Sequence, residues 1–223
     1  MRNPVIFVAE IGSMHKRDKS LAYEMMRQAK LSGATIAKFQ FGHPQDDPVR
    51  YVDDWAGDIA RWSEILDIEW MASIFSQDGL SAAKDAGVQR YKIPHQIALD
   101  PAQSGLVADV VATAKPVYIS GKVGFVASNV HSIYVHDTYP CYEPHMPIGF
   151  QSSGWYGYSS HAHGIGDALL AVARGARYIE KHFCLSKPDL WVRDTTFALT
   201  PDEFSDMVVY GTEISRALSH RLS

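Results

Sequence analysis

Short β-branched or aromatic runs alternate with helical patterns along the whole chain, and that alternation constrains the fold more than any other feature, because it demands a parallel sheet covered by helices. Eight runs can be counted: Ile6–Ile11, Thr35–Phe41, Glu69–Phe75, Arg90–Pro94, Pro116–Ser120, Ser132–His136, Tyr156–His161 and Arg177–Phe183. Helical patterns occupy Ser20–Ser32, Val52–Leu66, Leu80–Ala86, Pro101–Ala112, Ile165–Arg174 and Pro201–Leu218. The last opens with Thr200 as N-cap, Pro201 in the first turn and Glu203 three residues after the cap, a capping box with a pre-set φ. Eight parallel strands close most naturally into a barrel. Two crossovers are thin: Gly121–His131 is short, and Asp137–Trp155 is rich in Pro, Gly, His and aromatics. A parallel crossover needs about a dozen residues, usually helical, so the expectation is a trimmed barrel, with short or irregular crossovers around strands five to seven.

A weak internal repeat supports this reading. AKLSGATIAKFQ, AKDAGVQRYKIP and AVARGARYIEKHF each run from a helix through a glycine suited to the position after the helix C-cap into a strand bearing a charge. Lys38, Lys92 and Glu180 each follow their glycine by five residues. Charges near the carboxyl ends of parallel strands point toward the face where barrels build their sites, and a charge within an apolar strand needs a partner.

With 223 residues and 46% apolar content, the chain suffices for one sizeable core, so residues 1–223 are read as a single domain. No window approaches a membrane span, and the N-terminus lacks a secretory pattern. Cys141 and Cys184 have neither metal nor disulfide-framework spacing, which favours the reducing cytoplasm and makes neither a nucleophile. The net charge of −4, with Lys and Arg scattered, argues against nucleic acid as a partner. An anionic small molecule stays open, since a few buried lysines can hold a phosphate beneath a mildly acidic surface.

The chemistry-bearing residues fall at strand ends. Glu10 closes a strand in AEIGSMH (Ala9–His15), either as a structural carboxylate capping a loop or as a functional acid. Lys38 and Lys92 converge on one mouth, where two ammonium groups require an anion between them or acids such as Glu10 and Glu180 beside them. Ser73 and Ser120 add hydroxyl donors. His161, in SSHAHGIG, and His182, in IEKHF, end the seventh and eighth strands. Neighbouring strands lie about 5 Å apart, so two imidazoles there can share a divalent ion and leave positions for water and a substrate oxygen; His163 is read as a loop residue.

Taken together, AEIGSMHKRD, IAKFQ, ASIFS, YKIP, YSSHAHGIG, IEKHF and RDTTFALTPDEF resemble, in order and from Phe7 to about Met207, the N-acetylneuraminate (sialic acid) synthase family, which includes the legionaminic and pseudaminic acid synthases. The resemblance implies a (β/α)8 TIM barrel, a transferase that condenses phosphoenolpyruvate with an aldehyde or an N-acetylhexosamine-like sugar, using Mn²⁺ or Mg²⁺, to give a 2-keto-3-deoxy sugar acid and phosphate by C–O cleavage. By motif it implies His161 and His182 as metal ligands and Lys38, Lys92, Ser73 and Ser120 as the phosphoenolpyruvate cradle. Glu10, Gln40, Tyr139 and Asp194 then face the acceptor or the reacting water, and Ser159 joins the substrate contacts. A homodimer is expected, since a shortened barrel leaves apolar flanks to cover.

Departures from the family pattern are specific. The family's C-terminal antifreeze-like domain is expected to be missing. The glycine-serine turn after YKI is Pro94-His95, and the S-T-G after strand five is Ser120-Gly121-Lys122, where Lys122 could substitute as an anion contact. The asparagine before Tyr139 is not in place, Asp137 standing nearby, and the D-H pair of strand seven is Ser160-His161. Two rival readings are a degenerate barrel that binds a sugar or partner without turnover, and a metal-dependent aldolase or isomerase.

Overall fold

A computed structural model describes residues 4–43, 47, 49–122, 127–142, 144–187 and 193–220. Eight parallel strands close into one barrel in chain order. They are β1 (Ile6–Glu10), β2 (Ile36–Phe41), β3 (Glu69–Ile74), β4 (Tyr91–Ile93), β5 (Val117–Ser120), β6 (Val130–Val135), β7 (Gly157–Ser160) and β8 (Tyr178–His182). β8 returns to β1 with Glu10 opposite His182, and β2 pairs with β1 so that Glu10 is also opposite Lys38. On the next strands Gln40 faces Ser73, and Ser73 faces Lys92. The register alone therefore collects the chemistry-bearing residues into adjacent rows.

Alternation along each strand separates two cores. Val8, Ile36, Met71, Tyr118, Ile133 and Tyr178 fill the barrel interior, and the opposite parity packs outward against the helices, as Phe7, Phe39, Tyr91 and Ile179 do. A side chain on Gly157 would come 2.3 Å from the Tyr178 carbonyl oxygen, so only glycine lets β7 lie this close to β8.

The helices are α1 (Lys19–Leu31), α2 (Ala56–Leu66), α3 (Gln77–Asp85), α4 (His95–Leu99), α5 (Ser104–Val111), α6 (Gly166–Ala173) and α7 (Pro201–His220). All three repeat copies end their helix in the same way. Gly33, Gly87 and Gly175 have φ of 84°, 75° and 94°, and in each the glycine N–H and the next N–H close back onto the last helical turn, as in Gly33 N to Lys30 O and Ala34 N to Ala29 O. The expected capping box is present, with Glu203 Oε2 accepting from Thr200 N at 2.9 Å.

The differences from the sequence reading are local. α3 begins at Gln77 because Ser76 caps it, its hydroxyl accepting from Gly79 N at 3.1 Å. Residues Asp53–Trp55 and Pro101–Gln103 form 3₁₀ turns ahead of α2 and α5. The five-residue α4 is too short for periodicity to reveal. The trimming is as expected: among the described residues no helix lies between β5 and β6 or between β6 and β7. Aromatic packing covers that flank instead, with Tyr134 edge-on to Trp155 at 5.3 Å and to Phe150 at 6.4 Å. No described helix is long and apolar enough to cross a membrane.

Candidate active site

The carboxyl ends of the strands open onto a cavity of about 430 Å³ lined by Glu10, Lys38, Gln40, Ser73, Lys92, Ser120, Tyr139, Ser159, His161, His182 and Asp194, together with Glu180. Every site residue expected from the sequence is therefore gathered there except Lys122. That ammonium instead lies 5.5 Å from the centre of the Trp155 ring, because Gly121 turns the chain at a φ of 109° and directs the next side chain toward the β6–β7 flank. Cys141 and Cys184 are both buried and unpaired, and burial pushes the Cys184 thiol up to about 11, which suits a packing role.

One wall is built from charges that compensate each other. Lys38 Nζ lies 2.7 Å from Glu10 Oε2 and 3.3 Å from Glu180 Oε1. Burial alone would lower the Lys38 pKa, but the two carboxylates outweigh it and raise it. Glu180 is buried as well, which would raise its pKa; Lys38 and Lys92 reverse that and hold it well below the usual carboxylate range. Its oxygens also accept from Ser159 Oγ at 2.8 Å and from the Tyr178 hydroxyl. Glu10 Oε1 accepts from Gln40 Nε2 at 2.5 Å. Gly12 in the AEIG motif has φ of 52°, and a side chain there would stand 3.2 Å from Glu10 Oε1 and 3.7 Å from His182 Cε1. Both the turn and the space beside Glu10 thus require glycine.

The opposite wall is donor-rich, and its ammonium has no carboxylate in ion-pair range among the described residues. Lys92 is 2% exposed, and its Nζ contacts the Ser120 hydroxyl at 2.5 Å. Burial lowers its pKa to about 8, with the partly opposing influence of Glu180. The buried Ser73 hydroxyl has no hydrogen-bond partner among the described residues. His95 and Gln96 line this wall too, and His95 Nδ1 is another buried, unpartnered atom.

Between the walls, His161 and His182 face each other with ring centres 5.5 Å apart. Phe197 meets both rings edge-on, at 5.8 and 5.3 Å. Asp194 Oδ2 is 3.6 Å from His182 Nδ1, and its other oxygen accepts from the Tyr139 hydroxyl. Burial, and then the proximity of His182, drives the His161 pKa well below 6.5, so its imidazole is neutral and able to ligate. Among the described residues, the buried Nδ1 atoms of both histidines have no hydrogen-bond partners. Two such imidazoles fit a divalent ion. Among the described residues no group of three or more His, Cys, Asp or Glu side chains is placed to hold a metal, so other ligands would complete the coordination.

The sequence reading missed several lining residues. Arg50, Ser13 and Phe75 also line the cavity; Arg50 and Ser13 come from loops that no periodicity marks, and Phe75, the end of the third expected run, lies one residue past β3. Glu180, read from its spacing after Gly175 as an acid that could stand beside the two lysines, does so, 3.3 Å from Lys38 Nζ.

Comparisons with known proteins are consistent with this geometry. Residues 146–222 match the model of the NeuB family. The chain is 24% identical to the human N-acetylneuraminate-9-phosphate synthase over 97% of its own length and 72% of that protein. It is 24% identical to the pseudaminic acid synthase of Helicobacter pylori over 93% of its length and 74% of that protein. The crystal structure of an N-acetylneuraminic acid (sialic acid) synthetase from Leptospira borgpetersenii, in complex with citrate, superposes with a TM-score of 0.84 at 26% identity, covering 98% of this chain and 86% of that one.

Proposed function

We propose that this barrel, whose residues 146–222 match the NeuB family model, is sialic acid synthase-like and joins phosphoenolpyruvate to an aldehyde or N-acetylhexosamine-like sugar, releasing phosphate. The observation that carries this reading is Lys92, a buried ammonium with a hydroxyl partner and, among the described residues, no carboxylate in ion-pair range, in the same cavity as two facing imidazoles. A phosphorylated carboxylate is the complement such a wall lacks.

In this reading Lys92, Ser73 and Ser120 bind the phosphate and carboxylate of the enol. Lys38 holds Glu10 and Glu180 in place and lends positive charge along the path. His161 and His182 would hold Mn²⁺ or Mg²⁺, which when bound supplies Lewis acidity to the aldehyde oxygen. Gln40, Tyr139 and Asp194 orient the acceptor. The bond that forms joins C3 of the enol to the aldehyde carbon, as the C=O π electrons pass to the aldehyde oxygen, which takes a proton to become a hydroxyl. Water adds at C2, Glu10 accepting one of its protons, and the C2–O bond to phosphate then breaks while the new C2 hydroxyl gives up its proton to become the ketone. Ser159 acts through Glu180, and Lys122 has no part.

The proposal treats residues 1–223 as one catalytic domain, working in the cytoplasm as a homodimer. Incubation with Mn²⁺, phosphoenolpyruvate and a panel of plain and N-acetylated aldoses is expected to release phosphate only when an acceptor is present. Absence of release with every acceptor would rule out the condensation.

A further inference from the structure

β8 presents two kinds of residue by parity. Glu180 and His182 point into the barrel, and Lys181 between them points outward, yet it is 0% exposed. A wholly buried ammonium needs a carboxylate and full hydrogen bonding. Its Nζ donates to the Ala162 carbonyl at 2.5 Å and to Ser160 Oγ at 3.0 Å, and its carboxylate is Asp167, with Oδ1 at 3.8 Å. Asp167 lies in the first turn of α6 and is itself buried. Its Oδ2 accepts from the Ser160 hydroxyl at 2.5 Å.

Ser160 is the residue that departs from the D-H pair at the end of strand seven. A serine cannot balance a buried lysine. The carboxylate is nevertheless present in space, bonded to that serine's hydroxyl but supplied from seven residues further along the chain.

The network bears on the site because it grips the peptide units around His161. Lys181 holds the carbonyl of the next residue, Ala162, whose N–H reaches Ser160 Oγ at 3.3 Å. Cys141 N donates to the His161 carbonyl at 3.0 Å. β8 thus carries His182 on its inner face and, on its outer face, Lys181 bonded to the peptide that follows His161.

We propose that Asp167 is a positioning residue that supplies from α6 the counter-charge missing at Ser160, and that the Lys181–Asp167 pair fixes where His161 presents its imidazole. The inference rests on the reading of His161 and His182 as the metal pair. Outer partners of this kind change metal affinity by about 10–100-fold when removed.

The test uses Asp167→Asn and the swap Ser160→Asp/Asp167→Asn in the full chain. Folding is checked by circular dichroism, and Mn²⁺ binding is measured calorimetrically well below each melting temperature. Long-range ¹H–¹⁵N imidazole spectra of the metal-free proteins follow His161, with His95 as a reference in the same cavity. Asp167→Asn is expected to weaken Mn²⁺ binding about 10–100-fold and to move the His161 signals but not those of His95, and the swap is expected to restore both. A folded Asp167→Asn protein with unchanged Mn²⁺ affinity and unmoved His161 signals overturns the inference, as does a swap that fails to fold or to recover binding. If Asp167→Asn does not fold, the swap alone decides, by the same criteria. Wild-type protein that binds no Mn²⁺ sinks the metal reading instead, and the imidazole spectra then still decide whether Asp167 positions His161.

Discussion

The two lysines that the internal repeat places at equivalent positions end in opposite electrostatic circumstances. Lys38 sits between two carboxylates, and its charge is neutralised before any ligand arrives. Lys92, two strands away and equally buried, donates to the Ser120 hydroxyl at 2.5 Å and to the Ile93 carbonyl at 3.5 Å, with no carboxylate in ion-pair range among the described residues. The β1–β2–β8 wall is a finished ion network, whereas the β4–β5 wall is a set of donors awaiting an acceptor. In a low-dielectric mouth an incoming anion gains most from the charge that is not already balanced, so under the proposed function the dianion seats against the β4–β5 wall and the β1–β2–β8 wall serves as scaffold.

The strongest way to break this division is to neutralise each lysine in turn. Lys92→Met is expected to lower kcat/KM for phosphoenolpyruvate by about 100-fold or more, in line with losing one preorganised electrostatic contact, with little loss of melting temperature because a strained buried charge is relieved. Lys38→Met should do the reverse. It strips the cation from two buried carboxylates and is expected to destabilise the barrel by about 3–5 kcal/mol, read by chemical denaturation, with a smaller effect on phosphoenolpyruvate affinity. Equal losses of affinity in the two variants would dissolve the distinction between the walls.

A smaller effect follows from pH. Lys92 titrates near 8 in the folded chain against 10.5 for an ordinary lysine, so its positive charge fades as pH rises through about 8. Phosphoenolpyruvate, whose phosphate is already dianionic there, should bind progressively more weakly above that pH in calorimetry, and Lys92→Met should lose this dependence. Stability of the ligand-free protein runs the other way. Between about 8 and 10.5 the unfolded chain binds more protons than the folded one, so stability from this group rises with pH across that window. Affinity that is flat from pH 7 to 9.5 would contradict the assignment of Lys92 as the anion's principal contact.

Much of this was legible in the sequence because it is encoded locally. The glycine after each repeat helix needs a positive φ, the strand then starts at a fixed offset, and period-two alternation carries Lys38, Lys92 and Glu180 to the inner face. Eight strand runs in order, three of them set by this repeat, leave a closed barrel as the simplest solution, and the strand-end histidines follow from it. What stayed hidden depends on space rather than spacing. Whether a lysine meets a carboxylate or a hydroxyl is decided by cross-strand register, and Asp167 balances Lys181 only because α6 folds back over β7. Lys122 looked like an anion contact because it follows Ser120 closely; the positive φ of Gly121 breaks the strand's alternation and sends it to Trp155.

The finest distinction is between two serines at equivalent strand ends. Ser120 Oγ contacts the ammonium of Lys92, whereas Ser159 Oγ donates to Glu180. If the β4–β5 wall receives the anion, Ser120→Ala removes a hydroxyl that bonds both the lysine and the ligand, and phosphoenolpyruvate affinity is expected to fall about tenfold, the scale of one charged hydrogen bond. Ser159→Ala deletes a bond internal to the scaffold, where Lys38 and Tyr178 still hold Glu180, so affinity should change by no more than about twofold. Lys122→Ala, on the far side of Gly121, should leave affinity where it was. Calorimetric titration of the three variants under one set of conditions orders them, and a larger loss at Ser159 than at Ser120 would mean that the anion seats against the β8 wall and that Glu180 turns away from it to make room.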